Sequence, residues 1–377
     1  MQLTIGQFIR QQRSAVAPVI ERDLTGKTII VTGANNGIGI ETAKHFARMN
    51  PQKLILACRS KERGEAAVEE IKNATGCETV ELWILDLAKF ASVKAFAERF
   101  EKEGGGRLDI LAENAAVLPS SKFEATPDGW ELSFQVNYLS TSLLALLLLP
   151  RMVDTANMYE TTPRIVVVTS EVHHWAKIDN AIFNAPNPLE LYGSKEQFTP
   201  KIQANRYVET KLMNIFFARA LSERLQSQIK SKDNSGTGAG THNIIVNSVN
   251  PGYCLSNLRA NFSGPRAWFD WFMEKALART AEEGSRQVVW AALGGEEGGG
   301  DGDCAMRGAY VSNAQITEPS DYVIEEEGRK VQDILWDNTL EELGKVDAEV
   351  GRIAKEYLTP PPKKQLDPLP ESVFQGI

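Results

Sequence analysis

A doubly wound α/β fold, a parallel sheet with helices on both faces, is predicted from three features of this 377-residue chain. Short continuous apolar runs, rich in β-branched residues, alternate with helical stretches, the pattern of strands buried on both faces. The order is strand then helix, repeated, which requires parallel strands joined by helical crossovers. A glycine-rich turn joins the first strand to the first crossover helix, where such folds form their ligand crevice.

Taken in order, residues 1–25 form an extension in which Leu3, Ile5, Phe8 and Ile9 mark an amphipathic helix, packed on the domain or against a membrane surface. The domain proper runs over 26–358. Thr28–Thr32 (TIIVT) is the first strand, and a helix follows from about Ile38 to Met49. Leu54–Cys58 is the second strand, and a charged helix covers about Lys61 to Asn73. Further strands are expected at Val80–Leu85, Asp109–Ala112, Ile165–Thr169, Ile244–Val249 and Gly308–Val311. Two insertions, about 176–203 and 253–303, lie on the substrate side, and Lys232–Thr241 and Gly294–Asp303 read as surface loops. The tail, 359–377, carries Pro360, Pro361, Pro362 and Pro368 and should be extended.

Composition removes several classes of function. With 42% hydrophobic residues the chain can build a large core, which excludes a disordered or fibrous protein. Forty-one basic against 49 acidic residues leave a net charge of −8, so no basic face is expected for nucleic acid. Cys58, Cys77, Cys254 and Cys304 are far apart, with no CxxC pair, and make neither a disulfide framework nor a metal site. The longest apolar run, Leu143–Leu149, is too short to cross a bilayer, and Gln7, Arg10, Gln11, Gln12 and Arg13 interrupt any leader-like stretch. A cytoplasmic location is the expectation.

The turn Thr32-Gly33-Ala34-Asn35-Asn36-Gly37-Ile38-Gly39 has the spacing GxxxGxG between a strand and a helix. Gly33 permits the tight turn, Gly37 allows close backbone approach to a pyrophosphate, and Gly39 allows the helix to pack on the strand. The helix N-terminus then offers Asn36, Gly37 and Ile38 around the phosphates. The second strand ends in Arg59, Ser60 and Lys61, not in an acidic residue. A guanidinium there suits the 2′-phosphate of NADP(H), with Lys61 adding charge, whereas a carboxylate would select NAD.

Tyr207 and Lys211 stand four residues apart, before Leu212, Ile215, Phe216 and Ala220 at helical spacing, so they share a helix face. Tyrosine is a poor acid–base group at its ordinary pKa of about 10, and a fixed ammonium nearby favours the phenolate. Bringing it to about 7 requires roughly 4 kcal/mol of differential stabilisation.

With these motifs the chain resembles the short-chain dehydrogenase/reductases, in the branch similar to retinol dehydrogenases and their fungal secondary-metabolism members. Thr32–Gly39 matches the family's TGxxxGIG. Leu85-Asp86-Leu87 matches its acidic residue after the third strand, and Glu113-Asn114-Ala115-Ala116 stands where it has NNAG. Asp128-Gly129-Trp130-Glu131 with Phe134-Gln135-Val136-Asn137 resembles the branch's DGxE…VN segment. Val168-Thr169-Ser170 ends the fifth strand, Tyr207–Lys211 is the YxxxK box, and Asn250-Pro251-Gly252 to Ser256 resembles PGxxxT. The likeness covers about residues 26–260.

The resemblance implies a Rossmann-type sheet and a role for each motif. Ser170 would hydrogen-bond the substrate carbonyl and Tyr207 would transfer the proton. Lys211 would hold the nicotinamide ribose, and Asn137 would fix a relay water. Asp86 would hold the adenine amine and Asn114 would contact the cofactor. The Cys254 backbone and Ser256 would meet the nicotinamide amide and the phosphates. Three positions depart from the family pattern: Glu113 and Ala116 in NNAG, and Ser256 for threonine. His173 and His174, just after Ser170, are read as pocket lining or structural.

The expected function is therefore NADP(H)-dependent interconversion of an alcohol and a carbonyl. The same residues also support reduction of an activated C=C bond. A non-catalytic dinucleotide sensor is a different class; such proteins often lose the Tyr/Lys pair that this chain keeps. Leu258, Phe262, Trp268, Phe269, Trp271, Phe272 and Met273 suggest a lid over a bulky apolar substrate such as a lipid, terpenoid or polyketide. An ordinary packed helix or a homodimer contact is the alternative use of that segment.

Overall fold

The computed structural model describes residues 3–233, 243–255, 258, 273–295 and 300–359. One eight-stranded sheet organises them, in the order β3-β2-β1-β4-β5-β6-β7-β8. The strands are β1 (Thr28–Thr32), β2 (Lys53–Cys58), β3 (Val80–Ile84), β4 (Ile110–Glu113), β5 (Arg164–Val168), β6 (Ile245–Asn250), β7 (Tyr310–Ser312) and β8 (Gln315–Thr317). All neighbours pair in parallel except β7 and β8. The chain order reverses between β1 and β4, which opens the crevice at the end of β1.

The continuous apolar runs fold as strands because both faces of the sheet are covered. In β1 every residue is buried, Ile29 and Val31 facing one core and Ile30 the other. The first core lies under α2 (Gly37–Arg48) and α3 (Lys61–Thr75), and it includes Phe46, Ile71 and Val289. The opposite core lies under α4 (Phe90–Glu103) and α5 (Leu132–Tyr159). By length and apolar composition α5 could cross a membrane, but 89% of its apolar window is buried inside the fold, the position of a core helix.

After β5 a 3₁₀ turn (Glu171–Trp175) leads into the 176–203 insertion, which forms α6 (Asn180–Phe183) and α7 (Pro188–Gly193). The long helix α8 (Pro200–Asp233) follows, and it carries Tyr207 and Lys211. Beyond β6 come α9 (Ala281–Leu293) and α10 (Gly300–Ala305), and after β8 come α11 (Asp321–Ile324), α12 (Glu326–Val346) and α13 (Ala348–Tyr357). Trp336 of α12 stacks on Phe217 of α8 at 5.8 Å between ring centroids, which seals the second core.

Two local expectations are corrected. The sheet is not wholly parallel, because β8 folds back on β7 across Asn313 and Ala314, at φ +53° and +54°. Two consecutive left-handed residues make a two-residue hairpin whose twist fits the strands, but Ala314 carries no turn signature. Its N–H is held by Gln287 Oε1 at 2.6 Å. Gly294–Asp303 is not all loop either, since α10 begins at Gly300. Of the aromatic segment only Leu258 and Met273 are described. Ser256, Phe262 and Trp268–Phe272 lie outside the described residues, as does the tail beyond Thr359.

The amphipathic N-terminal helix α1 (Ile5–Gln12) packs on the domain. Thr4 and Gln7 form a reciprocal capping box at its start, and Phe8 meets Trp175 edge-on at 6.0 Å. Ile5 stays 72% exposed.

Candidate active site

The turn after β1 is closed by backbone approaches that only glycine allows. Gly33 has φ +66° and Gly37 φ +54°, where a side chain is strained. At Gly39 a Cβ would stand 2.4 Å from the Gly33 carbonyl oxygen and 2.6 Å from Asn114 Nδ2. Asn114 donates through Nδ2 to the Thr32 carbonyl at 3.0 Å, and Thr32 Oγ1 accepts the N–H groups of Asn114 and Ala115, both at 3.0 Å. Asn114 therefore braces the end of β4 against the turn. Asn36 is the extended N-cap of α2 and makes no side-chain cap hydrogen bond; Ile38 follows half-buried. Gly39→Ala should lower unfolding free energy by about 1–3 kcal/mol, measured in urea, because α2 must move off β1.

The end of β2 is basic and open. Arg59 and Lys61 are exposed, and Lys61 is 3.7 Å from Glu65. Ser60 caps α3 by accepting the Arg63 N–H, and Arg63, which the motifs did not single out, stands with Lys61 in the first turn of that helix. Asp86 is engaged in its own turn: Oδ1 accepts the Ala88 N–H at 3.1 Å and Oδ2 pairs with Lys89 at 3.4 Å.

Residues distant in sequence meet at the ends of β4 and β5. Lys211 is 2% exposed and donates from Nζ to the Val168 carbonyl at 2.7 Å, two residues before Ser170. Thr169 Oγ1 donates to the Lys211 carbonyl at 2.6 Å, which pins α8 to the end of β5. Tyr207 lies one turn earlier, with its ring centroid 5.7 Å from Lys211 Nζ. Burial lowers the Lys211 pKa to about 8, so the ammonium form still dominates at neutral pH.

Ser170 is the N-cap of the 3₁₀ turn, its Oγ accepting the Val172 N–H at 3.4 Å. A hydroxyl that accepts keeps its own proton to donate. Asn137 sits in a π-helical turn (Gln135–Leu139) at the start of α5, an irregularity frequent at functional sites. Its amide bonds both ways to the Val117 backbone, Nδ2 to the carbonyl at 2.9 Å and Oδ1 from the N–H at 2.8 Å. Nδ2 also reaches Thr210 Oγ1 at 3.2 Å, and Thr210 in turn bonds the Tyr207 carbonyl at 2.8 Å.

The model of the family described as short chain dehydrogenase matches residues 27–185. A short chain dehydrogenase/reductase of the fungus Cryptosporiopsis, dmxR8, is 33% identical over 339 residues, 89% of this chain and 96% of its own. The chain belongs to the short-chain dehydrogenase/reductase family. The short chain dehydrogenase sol3 of Alternaria solani is 36% identical over 76% of this chain and 92% of its own. Among solved structures, a short chain dehydrogenase of Escherichia coli complexed with NADPH superposes with a TM-score of 0.52 at 21% identity, over 77% of this chain and 98% of that one.

Within this short-chain dehydrogenase/reductase the structure brings Asn137, Ser170, Tyr207 and Lys211 to one end of the sheet, with Gly33–Gly39 and Asn114 beside them. Cys254 is buried beside α9, where a Cβ on Gly284 would stand 2.4 Å from its Sγ. Ser256 lies outside the described residues.

His173 is held on both ring nitrogens. His173 Nδ1 lies 2.7 Å from the Ser170 carbonyl, and Nε2 accepts the Ser320 N–H at 3.2 Å, which makes Nδ1 the protonated nitrogen. Burial pushes its pKa down to about 3, so it stays neutral and anchors the serine's backbone. Glu113 is buried, and its oxygens lack hydrogen-bond partners among the described residues. Burial holds this carboxyl well above its ordinary range. Gln12, Glu171 and Arg279 carry no motif, and sequence reasoning missed them.

Proposed function

We propose that this protein is an NADP(H)-dependent oxidoreductase interconverting an alcohol and a carbonyl on a bulky apolar substrate. The observation that carries the reading is Lys211, buried and bonded beside Ser170 while facing the Tyr207 ring. A buried lysine costs stability, and this one is held where its charge can act on a phenol. The residues present fit a dinucleotide: Gly33 and Gly37 take left-handed backbone and Gly39 packs too closely for any side chain, in a tight turn at the N-terminus of a 12-residue helix.

A nicotinamide dinucleotide, when bound, supplies or takes up the hydride at the carbonyl carbon. In reduction, Ser170 donates a hydrogen bond to the carbonyl oxygen, and Tyr207 transfers its phenolic proton to that oxygen as the alcohol forms. Lys211 stabilises the resulting phenolate and holds the ribose, while Asn137 keeps α5 and Tyr207's turn of α8 in register and orders the relay water. In oxidation the same groups run in reverse.

Arg59 and Lys61 support NADPH over NADH. Arg59→Asp should reduce that preference by roughly ten- to a hundredfold, since an Arg–phosphate pair contributes on the order of 1.5–3 kcal/mol. Equal affinities of the wild type for the two cofactors, by fluorescence titration, would overturn the assignment. The fungal relatives and the apolar segment 258–273 support a lipid, terpenoid or polyketide-like substrate and a place in secondary metabolite biosynthesis. Four cysteines without a disulfide partner suit a reducing cytoplasm. NADPH oxidation across a panel of apolar carbonyls, with alcohols in reverse and enones as the C=C alternative, tests the reading; no turnover on any would sink it.

A further inference from the structure

We infer that the N-terminal helix α1 is a positioning element of the site, acting through a clamp between the Gln12 carboxamide and the Glu171 carboxylate. Both side chains are buried, at 6% and 4% exposure. Gln12 Nε2 donates to Glu171 Oε1 at 2.9 Å and Oε2 at 3.2 Å, and Gln12 Oε1 accepts the Tyr253 N–H at 3.2 Å. One amide thus joins the residue after Ser170 to the loop after β6.

A second amide repeats the tie. Asn250 Oδ1 accepts the N–H groups of Glu171 at 3.1 Å and Gly252 at 2.9 Å, while Nδ2 donates to Glu171 Oε2 at 3.3 Å. Arg279 locks α1 onto the same loop. Its Nη2 donates to the Gln11 carbonyl at 2.6 Å, at the helix C-terminus, where a cation also complements the dipole. Its backbone bridges the loop, N–H to the Tyr253 carbonyl at 2.8 Å and carbonyl to the Leu255 N–H at 2.9 Å.

The loop is closed tightly against this assembly. Gly252 has φ +87°, and a Cβ there would stand 3.0 Å from Arg279 Nη1 and 3.4 Å from Gln12 Nε2. A carboxylate is a costly filler for such a space, and burial raises Glu171 to about 7 even with these donors. What it provides is direction. Apolar packing would let the two loops slide, whereas donors aimed at two fixed oxygens hold the serine's turn and the 250–255 loop in one relative position.

The inference rests on the proposed function together with the family resemblance, by which the 250–255 loop borders the nicotinamide while the turn after β1 holds the pyrophosphate and the end of β2 the adenosine 2′-phosphate. It predicts a loss confined to the nicotinamide end. In the full-length protein, Gln12→Ala should weaken NADPH binding about tenfold and leave 2′-phospho-ADP-ribose, which lacks nicotinamide, within twofold. Gln12→Glu should be at least as harmful, because two carboxylates then face each other. The swap Gln12→Glu with Glu171→Gln should restore NADPH affinity to within about threefold: Gln at 171 can donate to the new carboxylate and accept from Asn250. Should the charged variants fail to fold, Gln12→Met gives the same comparison of ligands. Equal weakening of both ligands, or unchanged NADPH affinity in Gln12→Ala and Gln12→Met, would reduce α1 to ordinary packing. Failure of the wild type to bind NADPH would instead overturn the proposed function itself.

Discussion

Replacing Tyr207 with phenylalanine should lower turnover at least a hundredfold while leaving NADPH affinity within a few-fold of wild type. The hydroxyl is the only group removed, and α8 is held independently of it by Thr169 on the Lys211 carbonyl and by the Thr210–Asn137 bond. General acid–base catalysis typically contributes about 10²–10⁴-fold, so the loss should fall in that range. Steady-state rates on the best carbonyl from the panel, with nicotinamide fluorescence for binding, check both halves. More than about a hundredth of wild-type turnover would remove Tyr207 from the proton-transfer role.

Lys211→Met should damage binding and turnover together, and without destabilising the ligand-free protein. Burial takes this lysine from 10.5 to about 8. Its folded value is depressed, so in the range below about 8 the charged side chain costs the fold about 3 kcal/mol, a cost that fades as pH rises from 8 toward 10.5. Methionine removes that cost and gives up one hydrogen bond, to Val168, worth about 1 kcal/mol. The melting temperature at pH 7 should therefore hold or rise while NADPH binding falls. A fall in stability with normal turnover would contradict the assignment. In the wild type, reductive turnover should decline above about pH 8, as Lys211 loses its proton.

Much of the site was legible because its residues are fixed by backbone chemistry. Gly33, Gly37 and Gly39 had to be glycine for the turn, and the four-residue spacing of Tyr207 and Lys211 had to follow the helix period. Asp86 and Asn114 were legible only as positions. Their contacts here, a turn cap and a brace on Thr32, depend on neighbours that the motif does not specify. The β7–β8 hairpin escaped because Ala314 adopts a left-handed conformation that its residue type disfavours.

The sequence by itself determined the parallel strands, their alternation with helices and the family, since apolar runs and glycine spacing are local properties that survive any tertiary context. Only the tertiary structure decided which buried polar groups meet. Gln12 and Glu171 are separated by 159 positions, and nothing local marks either one. Their pairing exists because α1 packs by Phe8 and Gln12 onto the turn after β5 and the loop after β6. The desolvation that lowers Lys211 and raises Glu171 likewise comes from neighbours on other elements. Burial is a property of the assembled chain, and the chemistry of this site follows from it.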